Sequence, residues 1–464
     1  MQARSGRQAE TPWFALAVGS LVLAGAFALF LVVARVPPFS QVLGAPEFFK
    51  RCLVVHVDLS IVVWFHAFTA GLFALLPATS VWNPVRQTGA ALALGGVGLV
   101  FASIAIEGAT PILSNYVPSL DHPIFYAGMG AFFVGVALSF LDGRLLPWNE
   151  SDAPSLLPPQ ARPGVRAAAL AFLFATLTFA GSALSTPAGL TPDVRAEFIF
   201  WGGGHVLQVS SVASMLSVWI LLLTQSLGAA PVSRKTASAL FAALVVPTAA
   251  APVMALWGAT RVEVHDGFTK LMQWGIFPVV TVFMVLCGRA VILAVRRGDV
   301  AAWHPKLLAF YASVLLTVVG FVLGALIRGS NTMVPAHYHA AIGAVTVSFM
   351  AATYAVFEHR RLPQPSAFLA RASRWQPVLF GVGQAVFAAG FALAGSQGMA
   401  RKTYASEQHI RTSLETVGLV VMGLGGLVAV ASGLLFLAWV LKARWMSDPE
   451  RTASWQVQSI PFKP

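Results

Sequence analysis

Charged residues and cysteines are scarce in this chain, and their scarcity excludes several classes of protein. Only 10% of the 464 residues are charged, whereas 57% are hydrophobic. This is not the balance of a soluble domain, in which about a quarter of the residues are charged. The two cysteines, Cys52 and Cys287, fall in apolar segments, and no C-x-x-C-H sequence is present. The chain therefore has no attachment site for covalent c-type haem and no cysteine set for a dinuclear copper or iron–sulfur centre.

Long apolar runs are what the chain has instead. Segments of about 20 apolar residues can cross the roughly 30 Å hydrocarbon core of a bilayer. Twelve of them predict an all-α integral membrane protein, a bundle of twelve transmembrane helices that forms a single membrane domain over residues 1–464. The connection over 142–165 is predicted to be extended, and residues 445–464 are expected to form a loosely ordered cytoplasmic tail. The predicted spans are residues 13–35, 52–78, 87–106, 124–141, 166–185, 195–224, 234–258, 268–296, 305–327, 337–358, 376–396 and 412–443.

The distribution of basic residues predicts how the chain crosses the membrane. Lys and Arg gather in the connections, and nearly twice as many lie on the side of the N-terminus as on the other side. The positive-inside rule then places both termini in the cytoplasm. We expect a multi-pass protein of a bacterial inner membrane, in which the net charge of +12 reflects orientation in lipid and no nucleic-acid partner.

Four histidines stand out among the apolar spans. His337 and His339 are two residues apart, so a helix would point them to nearly opposite sides. One helix could thus offer a nitrogen to each of two metal centres. His56 near the start of the second span and His205 in the sixth fall in the same outer half of the membrane when the passes alternate. Ionisable groups inside a bilayer are costly and usually functional.

Two further motifs accompany these histidines. The sequence WGGGHVLQ, residues 201–208, places three glycines before His205, which lets a flat ring or a neighbouring helix approach closely. The sequence GMARKTY, residues 398–404, precedes the last span and carries Arg401 and Lys402. Two adjacent cations suit carboxylates such as haem propionates.

With HVDLSIVVWF in the second span and HYHAAIGAV in the tenth, these motifs resemble subunit I of the haem–copper oxidase superfamily, which includes cytochrome oxidases and nitric oxide reductases. The resemblance covers nearly the whole chain. It implies two haems, one low-spin and one high-spin, and a catalytic site at the high-spin haem that includes His337 and His205. Gln208, the polar neighbour of His205, is a further candidate for this catalytic site and is not part of the family pattern. The roles it implies are His56 and His339 as ligands of the low-spin haem, His337 as the ligand of the high-spin haem, His205 as a ligand of an adjacent non-haem copper or iron, and Arg401 and Lys402 as propionate-binding residues.

The non-haem metal site departs from the family pattern. Members usually have two adjacent histidines near the outer end of the seventh span, where this chain reads WGATRVEVHDGF, residues 257–268. Either His265 and Glu263 supply an altered site that contains a carboxylate, or the site is lost. Oxidases also place a tyrosine near this metal, and neither Val209 nor the seventh span offers one; Gln208 is the polar neighbour of His205 instead.

Three functions remain open at this point. The first is a respiratory oxidoreductase that takes electrons from an external cytochrome or cupredoxin subunit, passes them through the low-spin haem, and reduces oxygen or nitric oxide at the high-spin haem. The second is a haem-bearing electron-transfer or gas-sensing subunit with a degenerate non-haem metal site. The third is a twelve-span transporter without cofactors, which leaves the H-x-H motif unexplained.

Overall fold

A computed structural model describes residues 10–33, 46–79, 83–362, 365–401 and 412–446. Twelve of its helices are long and apolar enough to cross a membrane, which confirms the predicted all-α integral membrane fold. Each corresponds to one predicted span. The spans are Thr11–Leu31, Glu47–Ala74, Pro84–Ala105, Pro123–Phe140, Arg162–Ser185, Pro192–Leu227, Arg234–Gly258, Val262–Arg297, Pro305–Ala325, Met333–His359, Ala367–Ser396 and Ser413–Ala443.

Several spans contain more than one helical segment. The second span joins α2 to α3 through a π-helical turn at Asp58–Val63, and the seventh joins α8 to α9 through a 3₁₀ turn at Val246–Ala250. The α-helices are α1 (Thr11–Val33), α2 (Pro46–Val57), α3 (Trp64–Ala74), α4 (Asn83–Ala102), α5 (Pro123–Phe140), α6 (Arg162–Ser185), α7 (Pro192–Leu227), α8 (Arg234–Val245), α9 (Ala251–Gly258), α10 (Val262–Arg297), α11 (Pro305–Ala325), α12 (Met333–His359), α13 (Ala367–Ser396) and α14 (Ser413–Met446).

The helices group into two compact units, Met1–Arg296 and Arg297–Pro464. In the first unit α1 packs on α2 and α3, α4 on α5, and α6 on α7 and α9. In the second, α11 packs on α12 and α13, and α13 packs on α14. The prediction of one membrane domain over the whole chain stays a prediction.

Two helix starts differ from the predicted boundaries in ways that affect candidate site residues. Helix α12 begins at Met333, so the H-x-H motif lies a full turn inside the helix, whereas the predicted span began at His337. Helix α10 begins at Val262, six residues before the predicted span, so His265 is helical. In α10, the polar residues Glu263, His265 and Asp266 lowered the hydropathy on which the prediction relied. In α12, residues 333–336 are apolar and include a proline, which the first turn of a helix tolerates.

The small β-sheet was not predicted. Strands β1 (Thr110–Ile112) and β2 (Ser119–Asp121) form a short antiparallel hairpin between α4 and α5. The loop between the strands contains Tyr116, whose φ is +66°, a left-handed conformation that non-glycine residues rarely adopt.

Close helix pairs rely on facing glycines. A Cβ atom at Gly128 in α5 would come within 2.7 Å of the Gly96 carbonyl oxygen in α4. A Cβ atom at Gly390 in α13 would come within 2.2 Å of the backbone nitrogen of Met422 in α14. Glycines at helix contacts let backbones approach in a bilayer, where van der Waals packing is a main source of helix association.

The connection between α5 and α6 was predicted to be extended, but it contains two short 3₁₀ turns, Gly143–Leu145 and Pro147–Asn149. Ion pairs of Glu150 hold this connection in place. Glu150 accepts hydrogen bonds from Arg162 at 2.6 Å, Arg166 at 2.9 Å and Arg234 at 3.0 Å. Its side chain is only 11% exposed. Burial by itself raises the pKa of Glu150, but the hydrogen bonds from Arg162 and Arg166 outweigh it and hold the pKa below its ordinary value. The first two residues of the predicted tail, 445 and 446, belong to α14, and residues 447–464 lie outside the described residues.

We predict that Gly128→Ala lowers the thermal stability of the detergent-solubilised protein. The new methyl group would overlap backbone atoms of α4, which cannot move aside as a flexible side chain could. Overpacking of this kind costs about 1–3 kcal/mol. Gly130→Ala is the matched control on the same helix, since a Cβ there meets nothing within 4 Å. Melting followed by size-exclusion chromatography after heating measures both. Equal melting temperatures for the two variants would contradict the close α4–α5 contact.

We also predict that Glu150→Gln destabilises the protein by about 2–4 kcal/mol at pH 7, because it leaves buried guanidinium groups without a charged partner. A carboxylate with a lowered folded pKa stabilises above its ordinary pKa of about 4.3, and that contribution is lost as the pH falls through the folded value. The difference in melting temperature between wild type and variant should therefore shrink below about pH 4.

Glu263→Gln is the control for this experiment. The Glu263 side chain is 67% exposed and lies 3.7 Å from Arg261, and exposed pairs contribute about 0–1 kcal/mol. A difference at Glu150 that did not change between pH 7 and pH 3.5 would show that charge pairing is not its origin.

Candidate functional site

The ring of His337 is held by helix α11. Its Nδ1 atom donates to the carbonyl oxygen of Gly320 at 2.7 Å, because a backbone carbonyl can only accept. The ring also lies against Gly324, where a Cβ atom would come within 2.8 Å of Nδ1. The tautomer is therefore fixed with the proton on Nδ1, and the Nε2 lone pair makes no hydrogen bond within the described residues.

His339 faces a different helix, α13. Its ring centroid lies 4.7 Å from that of Phe387 and 5.9 Å from that of Phe391. The two imidazoles of the H-x-H motif thus contact neighbours on different sides of α12, as the helical geometry of residues two apart requires. Both are partly buried.

Arg401 is placed beside the start of the helix that carries this motif. Its Nε atom donates to the Ser330 hydroxyl at 2.9 Å. Asn331 and Ala400 form an isolated β-bridge, and the Thr332 amide donates to the Met399 carbonyl at 2.9 Å. The basic side chain is thereby fixed near the first turn of α12. Lys402, the second predicted propionate-binding residue, lies outside the described residues.

His56, in the last turn of α2, repeats the arrangement of His337. Its Nδ1 atom donates to the carbonyl oxygen of Ala24 in α1 at 2.8 Å. Its Nε2 atom makes no hydrogen bond within the part of the chain that the structure describes. Histidines that bind metals usually donate the other ring N–H to a carbonyl or carboxylate, which sets the tautomer and the ring orientation. His56 and His337 both have this form.

Asp58 follows two residues later, at the first position of the π-helical turn. It is fully buried, and neither carboxylate oxygen has a hydrogen-bond partner among the described residues. π-Helical turns occur often at functional sites. A buried carboxyl group without a partner is the feature that a polar ligand substituent would satisfy.

His205 in α7 differs from both, because both of its ring nitrogens are engaged. Nδ1 donates to the carbonyl oxygen of Trp201 at 2.8 Å, and Nε2 lies 2.9 Å from the hydroxyl oxygen of Tyr116. With its only proton on Nδ1, a neutral imidazole accepts the Tyr116 O–H at Nε2. His205 is 2% exposed. No lone pair of the ring remains for a metal in this arrangement.

The three glycines before His205 each make room for an aromatic ring. A Cβ atom would come within 2.5 Å of the Phe268 ring at Gly202, within 2.3 Å of the Phe179 ring at Gly203, and within 2.4 Å of Tyr116 at Gly204. The expected close approach of a flat ring to this motif is therefore made by side chains of the protein itself.

The other predicted ligands of a non-haem metal do not join His205 around one point. The ring of His265 stacks on the indole of Trp201, with centroids 4.9 Å apart and planes at 19°. Glu263 is exposed and pairs with Arg261. Gln208, partly buried, follows His205 on α7. Among the described residues, no group of three or more His, Cys, Asp or Glu side chains could hold a metal ion.

The side chains therefore fit one implied cofactor and not the other. His56 and His337 present an oriented imidazole with Nε2 available, which is what axial ligation of haem iron needs. A non-haem copper or iron would need several nitrogen or oxygen donors converging on one point. His205, His265 and Glu263 do not provide them.

Comparison with known proteins places the fold. The chain is similar to a haem–copper terminal oxidase, seen as a dimer by cryo-electron microscopy, with a TM-score of 0.69 over 95% of this chain and 84% of that one. The fold is that of a haem–copper oxidase. Sequence identity to it is 16%.

Curated relatives by sequence carry no assigned function. An uncharacterised protein of Aquifex aeolicus (strain VF5) is 27% identical over 353 residues, which is 74% of this chain and 83% of the relative. An uncharacterised protein of Rickettsia prowazekii (strain Madrid E) is 23% identical, with 92% of this chain and 94% of the relative covered. No protein-family model matches the chain.

Sequence reasoning missed Tyr116 and Trp201 as partners of His205. Trp201 lies four residues before His205, so helical spacing could have indicated its carbonyl as the acceptor of the Nδ1 proton. Tyr116 lies in an irregular loop 89 residues upstream. No periodicity or spacing connects such a loop residue to a histidine in a distant helix.

Proposed function

We propose that this protein is a haem-binding respiratory oxidoreductase subunit of the membrane. The observation that carries the proposal is the pair of histidines, His56 and His337, whose Nδ1 protons are bound by backbone carbonyls and whose Nε2 atoms remain available. The haem–copper oxidase fold supports it, because that fold is known from a terminal oxidase.

His337 is proposed as the ligand of the gas-binding haem. A haem held there by His337 would supply an iron able to bind oxygen or nitric oxide and to reduce it. The contribution of this chain is to fix the imidazole: Gly320 accepts its Nδ1 proton, and Gly324 leaves room for the ring. The same hydrogen bond raises the basicity of the ligating nitrogen.

His56 and His339 are proposed as ligands of a low-spin haem. Two histidines saturate the iron, which suits electron transfer. Their pairing rests on the resemblance of the sequence motifs and stays a prediction. Arg401, fixed beside Ser330, and Lys402 are the proposed partners of haem propionates, since Arg can bind a carboxylate through two hydrogen bonds.

Electrons are proposed to reach this chain from outside it. Without a covalent c-type haem motif or a dinuclear copper motif, it needs a donor subunit with a cytochrome or cupredoxin domain. Its twelve apolar helices place it in lipid, and the charge bias of the connections favours a bacterial inner membrane with both termini in the cytoplasm.

A second candidate function is favoured by the environment of His205. Because both its nitrogens are engaged and Glu263 is exposed, the altered metal site that the sequence left open lacks its ligands. A haem-bearing electron-transfer or gas-sensing subunit needs only the haem ligands, whereas the oxidoreductase resembles proteins that also use a non-haem metal.

We predict that the purified protein absorbs in the Soret region and that carbon monoxide shifts part of the reduced spectrum. His337→Ala should abolish the carbon monoxide shift and preserve the low-spin bands, because it removes the only ligand of the open haem. His359→Ala at the other end of α12 is the control and should leave both unchanged. Colourless protein from haem-replete cells, or an unaltered carbon monoxide shift in His337→Ala, would contradict the proposal.

A second variant tests the support of the ring without removing the ligand. Gly324→Ala introduces a methyl group 2.8 Å from Nδ1 of His337 and must displace the imidazole. We expect a carbon monoxide band that is shifted or reduced several-fold, with low-spin bands intact. Gly329→Ala, where a Cβ meets nothing within 4 Å, should match the wild type. Identical carbon monoxide spectra for Gly324→Ala and the wild type would mean that α11 does not position the ligand.

A further inference from the structure

The contact between Tyr116 and His205 is supported by hydrogen bonds of the residue that precedes the tyrosine. The neighbouring residue, Asn115, donates its backbone amide to the Glu197 carboxylate at 3.0 Å, and its side-chain amide donates to the same carboxylate. Glu197 lies on α7, two turns before His205. The loop that carries Tyr116 is thus tied to the same helix as its partner histidine.

The backbone of this loop is strained where the tyrosine lies. A non-glycine residue with φ near +66° costs about 1–3 kcal/mol, and such residues persist only where surrounding contacts compensate. Within the loop, the Ser114 hydroxyl donates to the Val117 carbonyl at 2.6 Å, and the Val117 amide donates to the Asn115 carbonyl at 2.8 Å. The strained backbone conformation of Tyr116 is the one that brings its phenol to His205.

Helix α7 is shaped to receive the tyrosine. Any side chain at position 204 would collide with the Cβ and Cγ atoms of Tyr116, which a Cβ there would meet at 2.4 and 2.5 Å. The ring centroids of Tyr116 and His205 are 4.6 Å apart, and that of Trp201 is 5.7 Å from Tyr116. Three features favour the contact between the Tyr116 phenol and His205: the glycine at position 204, the left-handed backbone of Tyr116 and the Asn115–Glu197 hydrogen bonds.

We propose that His205 holds no metal and that the Tyr116 hydroxyl occupies its Nε2 atom as a permanent hydrogen-bond partner. The fold implies a non-haem metal beside this histidine, but the donor set disagrees. One nitrogen is used by the Trp201 carbonyl, the other by a phenol. The inference concerns His205 itself and does not depend on whether haem is bound.

This assignment limits how the proposed oxidoreductase could act. A reaction that requires a non-haem metal on His205 is incompatible with a ring whose lone pair accepts a phenolic proton. Haem-based electron transfer, gas binding and gas reduction that use no metal on His205 all remain compatible with this site.

The first test counts metals in the full-length purified protein. Copper, iron, zinc and manganese are measured by mass spectrometry, and haem iron is measured separately by the pyridine haemochrome spectrum, for wild type and His205→Leu. We expect non-haem metal far below one atom per chain, equal in the two proteins. About one non-haem atom per chain in the wild type that disappears in His205→Leu overturns the inference. Metal retained in both lies elsewhere and agrees with it.

The second test measures the hydrogen bond directly and remains decisive where His205→Leu does not fold. Tyr116→Phe leaves a buried imidazole nitrogen unpaired, so we expect the melting temperature to fall by about 2–4 °C. Tyr126→Phe is the control, because that hydroxyl is 3.4 Å from Asp121 near the surface, and it should change little. An unchanged melting temperature in Tyr116→Phe, or a wild-type non-haem metal that this variant loses, overturns the inference.

The outcomes of these tests distinguish a failure of the inference about His205 from a failure of the proposed function. A preparation without haem ends the proposal of a haem oxidoreductase, yet it still reports the non-haem metal content and the stability of Tyr116→Phe. A preparation with haem and one His205-dependent metal atom ends the inference and strengthens the oxidoreductase.

Discussion

The decisive interaction in this protein is the hydrogen bond from an imidazole Nδ1 atom to a backbone carbonyl. His56, His205 and His337 all make it, at 2.7–2.8 Å. Inside a membrane no water can take that proton, so the bond fixes both tautomer and ring orientation. The chemistry of each histidine then depends on Nε2 alone. For His56 and His337 this atom has no partner within the described residues, whereas for His205 it accepts a hydrogen bond from Tyr116.

Which groups approach each imidazole depends on where the neighbouring backbone lacks a side chain. Gly324 lets the ring of His337 pack directly against α11, and Gly204 lets Tyr116 pack directly against α7. The same principle acts in the packing of α4 on α5 and of α13 on α14, where facing glycines bring backbones together. Between helices in a membrane, van der Waals contact replaces much of the hydrophobic driving force. The absence of a side-chain methyl group at glycine therefore determines which helices can approach closely. Glycine thus serves both the fold and the candidate sites.

The sequence predicted the fold and part of the candidate site for reasons that are physically distinct. All twelve helices followed from hydropathy, because the bilayer demands long apolar segments. The divergence of His337 and His339 followed from helical geometry, whereas the role of Arg401 as a propionate-binding residue stays a prediction. Tyr116 could not be predicted, because its contact depends on a left-handed residue in a short hairpin loop. For Glu263 the chemistry was suitable, but nothing in the sequence showed that its side chain is exposed beside Arg261.

A similar helix arrangement does not require the same side chains. The chain has a TM-score of 0.69 to a terminal oxidase although most side chains differ, at 16% identity. Helix packing tolerates such change when small residues remain at the contacts, but a metal site does not, because it needs several donors at one point. Without Tyr116, His205 would be a buried imidazole with an unsatisfied nitrogen, which costs about 1–3 kcal/mol. The hydrogen bond from the Tyr116 hydroxyl removes that penalty, although Tyr116 adopts a left-handed backbone conformation to make it.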